Sequence, residues 1–187
     1  IAGFSDGDSV NKIQNCLNYG TITHNCTTTG TFYIEGILGC AWLGTNNIEN
    51  CVSGGKIISN KGNSFIGSVV GQANSGVTTI IHCYWTSDDG YNNICGSGSP
   101  SIKESTSFNS TTFELNETVS VGNYTGTSLL DALNAFVDRY YIYNNFSHWV
   151  LNRDRKEISF TVNNRTKTLT LNSRLILLPS LAAEGKL

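Results

Sequence analysis

Along the first hundred residues the apolar positions fall in short, β-branched runs cut by Gly and Asn. One kind of run reads Ile-x-Asn-Cys followed by Gly-x-Ile. It occurs as Ile13-Gln14-Asn15-Cys16 with Gly20-Thr21-Ile22, and again as Ile48-Glu49-Asn50-Cys51 with Gly55-Lys56-Ile57. A third trace is Ile80-Ile81-His82-Cys83. The other kind reads Tyr33-Ile34-Glu35-Gly36-Ile37-Leu38-Gly39 and Phe65-Ile66-Gly67-Ser68-Val69-Val70-Gly71, with a remnant at Ile1-Ala2-Gly3. Cys16 to Cys51 is 35 residues and Cys51 to Cys83 is 32. The chain thus repeats itself with a period of 32–36 residues, starting inside a repeat. A period of this size marks a solenoid or array.

Helical repeats of that length need helix formers, and here Gly, Asn and Thr dominate. The runs are strand-like and strand-length. Stacked units would pair like strands in parallel, about 4.8 Å apart. Cys16, Cys51 and Cys83 would then share one phase, as would Ile13, Ile48 and Ile80 or Ile81, and the glycines would mark tight corners where a side chain collides. One unit cannot bury its own apolar face, so repetition builds the core. A β-propeller is the rival, but its blades need four strands and each unit offers two or three. The expected fold is mainly β: a Gly/Asn-rich parallel β-solenoid of about three rungs over residues 1–96, followed by a small α+β segment.

The pattern changes near Gly96-Ser97-Gly98-Ser99-Pro100-Ser101, a linker-type stretch. Residues 1–100 carry 16 of the 19 glycines and all six cysteines, but only nine charges. Residues 97–126 read as a Ser/Thr-rich linker, and 127–187 as an α+β module or solenoid cap. Leu129, Leu130, Leu133, Phe136 and Val137 make one helical stripe, with Thr127 or Ser128 as cap and Asp131 in the first turn. Trp149-Val150-Leu151 reads as a strand. Ile158–Val162 and Lys167–Leu171 read as a hairpin around Asn163-Asn164-Arg165-Thr166. Arg174–Leu178 is a last apolar run, ended by Pro179.

The recurrent apolar-apolar-Gly, followed by Ile-x-Asn-Cys-x-Asn-x-Gly-x-Ile with its Cys twelve or thirteen residues after the Gly, resembles the GLUG-type repeat over residues 1–86. That repeat occurs in large bacterial surface proteins and adhesins, in IgA-specific metallopeptidases outside their catalytic domains, and in surface proteins of parasitic protists. The third copy departs from the motif with His82 before Cys83, and the second reads Val52-Ser53-Gly54-Gly55 where the first has Leu17-Asn18-Tyr19-Gly20. The resemblance implies a stalk or display surface and brings no catalytic residue, cofactor or ligand set.

Composition narrows the functions. A net charge of −2 gives no basic face for nucleic acid. No apolar run approaches the ~20 residues of a membrane helix. With no Met and no leader, the chain reads as a mature product or a fragment of a larger protein.

Cys16, Cys26, Cys40, Cys51, Cys83 and Cys95 are disulfide candidates, which would place the chain in an oxidising compartment. For the three in-register cysteines the competing reading is a ladder of small apolar core residues. Sequons stand at Asn25, Asn109, Asn116, Asn123, Asn145 and Asn164. Composition alone would generate roughly five, but their crowding after residue 100 fits a glycosylated segment.

Chemistry is sparse. His24, His82 and His148 have no metal or triad spacing, and His82 takes an Asn position of the repeat. Asp6, Asp8 and Asn11 offer three oxygen ligands in six residues, a weak Ca²⁺ candidate without the bidentate Glu of an EF-hand. Asp88 and Asp89 read as a turn. As in polysaccharide-cleaving β-helices, they would need Glu35, Glu49 or another carboxylate across a cleft. Thr21 and Thr23 fail as an ice-binding row, because Lys56 and Ile58 align with them.

The expected function is therefore structural display or adhesion, non-catalytic, by part of a longer secreted or cell-surface protein, with exposed aromatics Tyr19, Trp42, Tyr84 and Trp85 able to contact a host or cell-surface protein or glycan. Alternatives are a glycan-binding module and a polysaccharide-acting β-helix enzyme. The remaining partner expectations are neighbouring domains of the same chain and end-to-end self-association through unpaired strand edges.

Overall fold

The computed structural model describes residues 1–60, 64–86, 93–108, 118–141, 149–151, 157–162, 165–170 and 175–177, with side-chain surroundings through residue 139. It is mainly β. The first pass of the chain contains β1 (Ala2–Ser5), β2 (Val10–Gln14), β3 (Leu17–Asn18), β4 (Ile22–His24) and β5 (Phe32–Glu35). The second contains β6 (Leu38–Ala41), β7 (Thr45–Glu49), β8 (Val52–Ser53), β9 (Ile57–Ser59) and β10 (Ser64–Gly67). The third contains β11 (Val70–Ala73), β12 (Val77–Ile81) and β13 (Tyr84–Thr86), and the fourth β14 (Cys95–Ser97), β15 (Ser101–Lys103) and β16 (Thr106–Phe108).

These strands form three four-stranded parallel sheets, ordered β1-β6-β11-β14, β2-β7-β12-β15 and β3-β8-β13-β16. The register follows the repeat: Ile13, Ile48, Ile80 and Ile102 face one another, as do Leu17, Val52, Tyr84 and Thr106. Ile80, not Ile81, takes the shared phase. The sheets hold four strands rather than the expected three, because β14–β16 continue them. Residues 97–108, expected in a linker, thus pair in the same ladders. Their short Cys-Gly-Ser, Ser-Ile-Lys and Thr-Ser-Phe segments carry too little periodicity to be seen alone.

Two shorter parallel pairs, β4-β9 and β5-β10, complete the first two passes. β5 and β10 run close behind β6, β11 and β14. A Cβ on Gly71 would lie 2.5 Å from the Gly39 carbonyl oxygen, 3.1 Å from the Ile34 nitrogen and 3.2 Å from the Phe65 oxygen. One on Gly96 would lie 2.6 Å from the Gly71 oxygen and 2.5 Å from the Ile66 nitrogen. Gly39, Gly71 and Gly96 are therefore strand-interior positions where two layers of backbone meet, not the corners expected, whereas Gly44, Gly55 and Gly76 do stand between strands where a Cβ would strike the preceding pass. At the first three, strand-on-strand approach causes the collision.

The corners after the second sheet's strands belong to other residues. Asn15, Asn50, His82 and Glu104 each follow a strand of the second sheet, with φ of 53°, 51°, 53° and 43°. Asn suits this left-handed conformation because its short polar side chain tolerates it. That is the reason for Asn in Ile-x-Asn-Cys. Their backbone N–H groups bridge passes: Asn15 to Glu49 O, Asn50 to Ile81 O and His82 to Lys103 O, at 3.0–3.1 Å.

The core of these passes joins Ile37, Leu38, Ala41, Ile48, Cys51, Val69, Val70, Ile80, Cys83, Trp85 and Ile94, with Ala2, Ile13, Cys16 and Cys95 half-buried against it. Fully burying an Ile contributes roughly 1.5–3 kcal/mol, so the stacked Ile48 and Ile80 are major terms.

The remaining elements are β17 (Thr118–Val119), a 3-10 turn at Gly122–Tyr124, β18 (Thr127–Ser128), α1 (Leu129–Tyr141), β19 (Trp149–Leu151), β20 (Glu157–Val162), β21 (Arg165–Thr170) and β22 (Leu175–Leu177). The chain divides into two compact units, Ile1–Glu114 with Val119–Gly126, and Leu115–Thr118 with Thr127–Leu187. In the second, Leu129, Ala132, Leu133, Phe136 and Val137 are buried along one face of α1. Ser128 caps the helix: its hydroxyl accepts from the Asp131 N–H at 3.1 Å and donates to the Asp131 carboxylate at 2.6 Å. β20 and β21 pair antiparallel down to Val162 with Arg165, so Arg165 and Thr166 belong to a strand and not to the expected turn. β19 pairs antiparallel with β22.

Candidate functional site

Three of the corner residues, Asn15, Asn50 and His82, form a polar ladder along the second sheet. Asn50 Nδ2 donates to Asn15 Oδ1 at 2.7 Å, and His82 Nδ1 lies 2.8 Å from Asn50 Oδ1. Tyr84 hydroxyl lies 2.8 Å from His82 Nε2. The amide oxygen of Asn50 can only accept, so His82 carries its proton on Nδ1 and accepts from Tyr84 on Nε2. From His82 to Asn15 each donor therefore points one pass back. The His82 ring also meets the Tyr84 and Tyr124 rings edge-on, at centroid distances of 5.0 and 4.5 Å. Burial pushes His82 down to about 3 and raises the Tyr84 phenol. His82 is thus a neutral structural link. Its place at the Asn phase was legible; its buried partners were not.

A second polar link stands at the start of the same sheet. Asn11 Nδ2 donates to Ser5 Oγ at 2.8 Å and to Asn46 Oδ1 at 3.2 Å, and Asn46 Nδ2 donates to Leu43 O at 3.0 Å. Asn11 thereby ties two passes together. Asp6 Oδ1 accepts from the Gly7 N–H at 2.8 Å. Among the described residues, no cluster of three His, Cys, Asp or Glu side chains could hold a metal.

All six cysteines are unpaired, with no two at disulfide-bonding distance, so the geometry gives the expected disulfide framework no support. Each thiol instead meets an oxygen. Cys16, Cys51 and Cys83 bond the carbonyls of Gln14, Glu49 and Ile81 at 3.2–3.4 Å. Cys95 bonds Ser97 O at 2.9 Å, Cys26 meets Thr28 Oγ1 at 2.9 Å and Cys40 meets Gln72 Oε1 at 3.7 Å. Cys51 and Cys83 are fully buried. The bond with Cys51 and burial raise Cys16, while burial leads in raising Cys40, Cys51 and Cys95. These are poor thiolates.

Glu49 accepts from Gln14 Nε2 at 2.5 Å, on a neighbouring strand. Glu35, at the end of β5, is half-buried, with Oε2 shielded and without a hydrogen bond. Burial lifts it to about 7, opposed by the Ile1 ammonium. Among the described residues, no second carboxylate contributes to that shift as the close partner of an acid/base pair would. Asp88, Asp89 and His148 lie outside the described residues. His24 Nδ1 lies 3.2 Å from Ser59 Oγ, and its ring packs on Phe32 at 4.6 Å.

Two of the four aromatics expected at the surface are core residues: Tyr84 is fully buried and Trp85 nearly so, because both lie in β13 with strands on either side. Tyr19 is half-exposed. Trp42 is 38% exposed and stacks on Phe4, 55% exposed, at 6.2 Å and 28°. Phe4 was missed because its partner is 38 residues away and only the β1–β6 register brings them together. Asn25 and Asn123 are exposed, each in its sequon. Asn109, Asn116, Asn145 and Asn164 lie outside the described residues. The register sets Thr23 beside Ile58, breaking the Thr row. Among the described residues, no helix is long and apolar enough to cross a membrane.

No family model matches the chain, and no curated protein or solved structure does.

Proposed function

We propose that the three parallel sheets close into a β-solenoid of the GLUG-repeat kind. The chain would be part of a larger secreted or cell-surface protein, using the solenoid as a rigid, non-catalytic surface for display or adhesion. The carrying observation is the fourfold in-register stacking of Ile13, Ile48, Ile80 and Ile102. Such a stack lengthens by about 4.8 Å per added pass and changes nothing in the passes already made. That property suits a stalk. The ladder from Tyr84 to Asn15 adds support, since a hydrogen-bonded polar row between passes fixes register and stiffens the stack. Exposed Asn25 and Asn123 can accept glycans on an extracellular protein. The cysteines give the reading no support, because their thiols are free. Neighbouring domains of the same polypeptide are the expected covalent partners.

The test is protease shaving of intact source cells. Release of peptides from this chain, with sequon peptides shifting in mass on glycosidase treatment, is the expected result. Recovery only after lysis sinks the proposal.

The exposed Phe4–Trp42 stack favours a second reading, glycan binding, since sugar rings pack on such flat apolar faces. On that reading Trp42→Ala loses at least tenfold in retention on immobilised host glycans without a change in melting temperature. Equal retention by the variant removes it.

A further inference from the structure

Gly3 and Gly20 are glycines without a local reason. A Cβ on Gly3 would meet nothing within 4 Å, and one on Gly20 only its neighbour Asn18, at 3.5 Å. Neither has a positive φ. Their counterparts one pass later are jammed: a Cβ on Gly39 would strike the Gly3 carbonyl oxygen, and one on Gly55 the Gly20 carbonyl oxygen. Gly71 and Gly96 continue the first series, each against the carbonyl of the glycine before it. In every pass but the first, the preceding pass makes the glycine necessary.

Other features at the same edge are equally unfinished. β1, β2 and β3 are terminal strands of their sheets, with a neighbour on one side only. Ile13 and Cys16 are half-buried where Ile48, Cys51, Ile80 and Cys83 are fully buried. Cys51 Sγ lies 3.6 Å from Ile13 O, and Cys83 Sγ 3.6 Å from Ile48 O, each one pass back. Asn50 donates one pass back to Asn15, so the amide of Asn15 has the matching direction to donate one pass further. Ile1, Phe4 and Val10 are 62%, 55% and 64% exposed.

We propose that the β1–β3 edge is a docking surface for one further repeat of the same Gly/Asn/Cys type, carried on the same polypeptide ahead of Ile1. That repeat sets a glycine carbonyl over Gly3, an Asn carboxamide beside Asn15 and an Ile carbonyl beside Cys16. The edge continues three interfaces already built, and only a parallel strand set in the same register fills it. A second copy fits worse. Docking head to tail requires the β14–β16 edge, where Gly122 stands over the Glu104 side chain and Phe108 and Val119 are buried. Docking edge to edge about a twofold axis runs the strands antiparallel and loses the register. This inference rests on the solenoid reading.

The test compares the 187-residue chain with the protein isolated from its natural source, by amide hydrogen exchange and by paired variants. In the natural protein, β1–β3 amides are expected to exchange at least tenfold more slowly than in the 187-residue chain, at rates near those of β6–β8. Gly3→Ala leaves the melting temperature of the 187-residue chain unchanged and lowers that of the natural-length chain by several degrees. Equal exchange in both proteins, or Gly3→Ala harmless in both, overturns the proposal. So does a natural chain that starts at Ile1, or concentration-dependent self-association of the 187-residue chain that protects the same edge. Gly39→Ala separates the two readings: if it is harmless, the stacked solenoid itself fails, whatever Gly3 does.

Discussion

His82 stands where the repeat calls for Asn, and its burial has a consequence for acid stability. An unfolded His takes a proton near 6.5, the buried one only near 3. Between those values the unfolded state holds the extra proton, so stability falls as the pH drops from 6.5 toward 3. The shift sets an upper bound of about 5 kcal/mol. Glu35 acts in the opposite sense. Its carboxyl titrates near 7 folded and 4.5 unfolded, so the folded state holds the extra proton and stability falls as the pH rises from 4.5 toward 7. Glu35 is half-exposed, so solvent screening leaves an effect on the order of 1 kcal/mol. Urea melts across pH 3–8 separate the two. His82→Asn keeps a corner residue at ease with positive φ but strands the Tyr84 hydroxyl. It is expected to cost about 1–3 kcal/mol at pH 7 while flattening the decline between pH 6.5 and 3. Glu35→Gln is expected to raise stability at pH 8 and leave the acid decline in place. A His82→Asn melt as acid-sensitive as that of the parent excludes His82 as the source.

At the scale of elements, the helix was the most legible part of the second unit. Its stripe, cap and acidic first turn are all local signals, and α1 with its Ser128–Asp131 cap follows them. Ser128→Ala is expected to cost about 1 kcal/mol, read as a lower thermal midpoint of the helical circular-dichroism signal. An unchanged midpoint means the helix is held by packing alone. The strands of the first unit were legible as repeats and mis-sized at their ends. Two-residue strands such as β3 and β8 have no periodicity of their own and exist because the neighbouring pass supplies their hydrogen bonds. For the same reason β14–β16 looked like a linker. Gly39 and Gly71 were placed in the right register but at the wrong kind of position, because sequence shows that a side chain is excluded and not which backbone excludes it.

At the scale of the molecule, the cysteines decide what kind of stability the first unit has. A disulfide framework would hold it by cross-links; the free-thiol ladder holds it by packing and hydrogen bonds. With an excess of a thiol-reactive dye under native conditions, Cys26 is expected to react first, being outside the core cluster and next to exposed Thr27 and Thr28. Cys51 and Cys83, fully buried, should react only after denaturation, at least a hundredfold more slowly. Six unreactive cysteines that appear only after reduction would contradict the ladder. The sequence by itself determined the repeat, its period, the parallel register it implies and the helix with its cap. These depend on spacing and on local chemistry, which a chain carries wherever it goes. Tertiary structure alone decided which repeated residue is a corner and which a close approach. It also made the cysteines a ladder, turned Tyr84 and Trp85 inward and brought Phe4 to Trp42. Each of those outcomes depends on what the adjacent pass places within about 4 Å, the range over which packing contacts act.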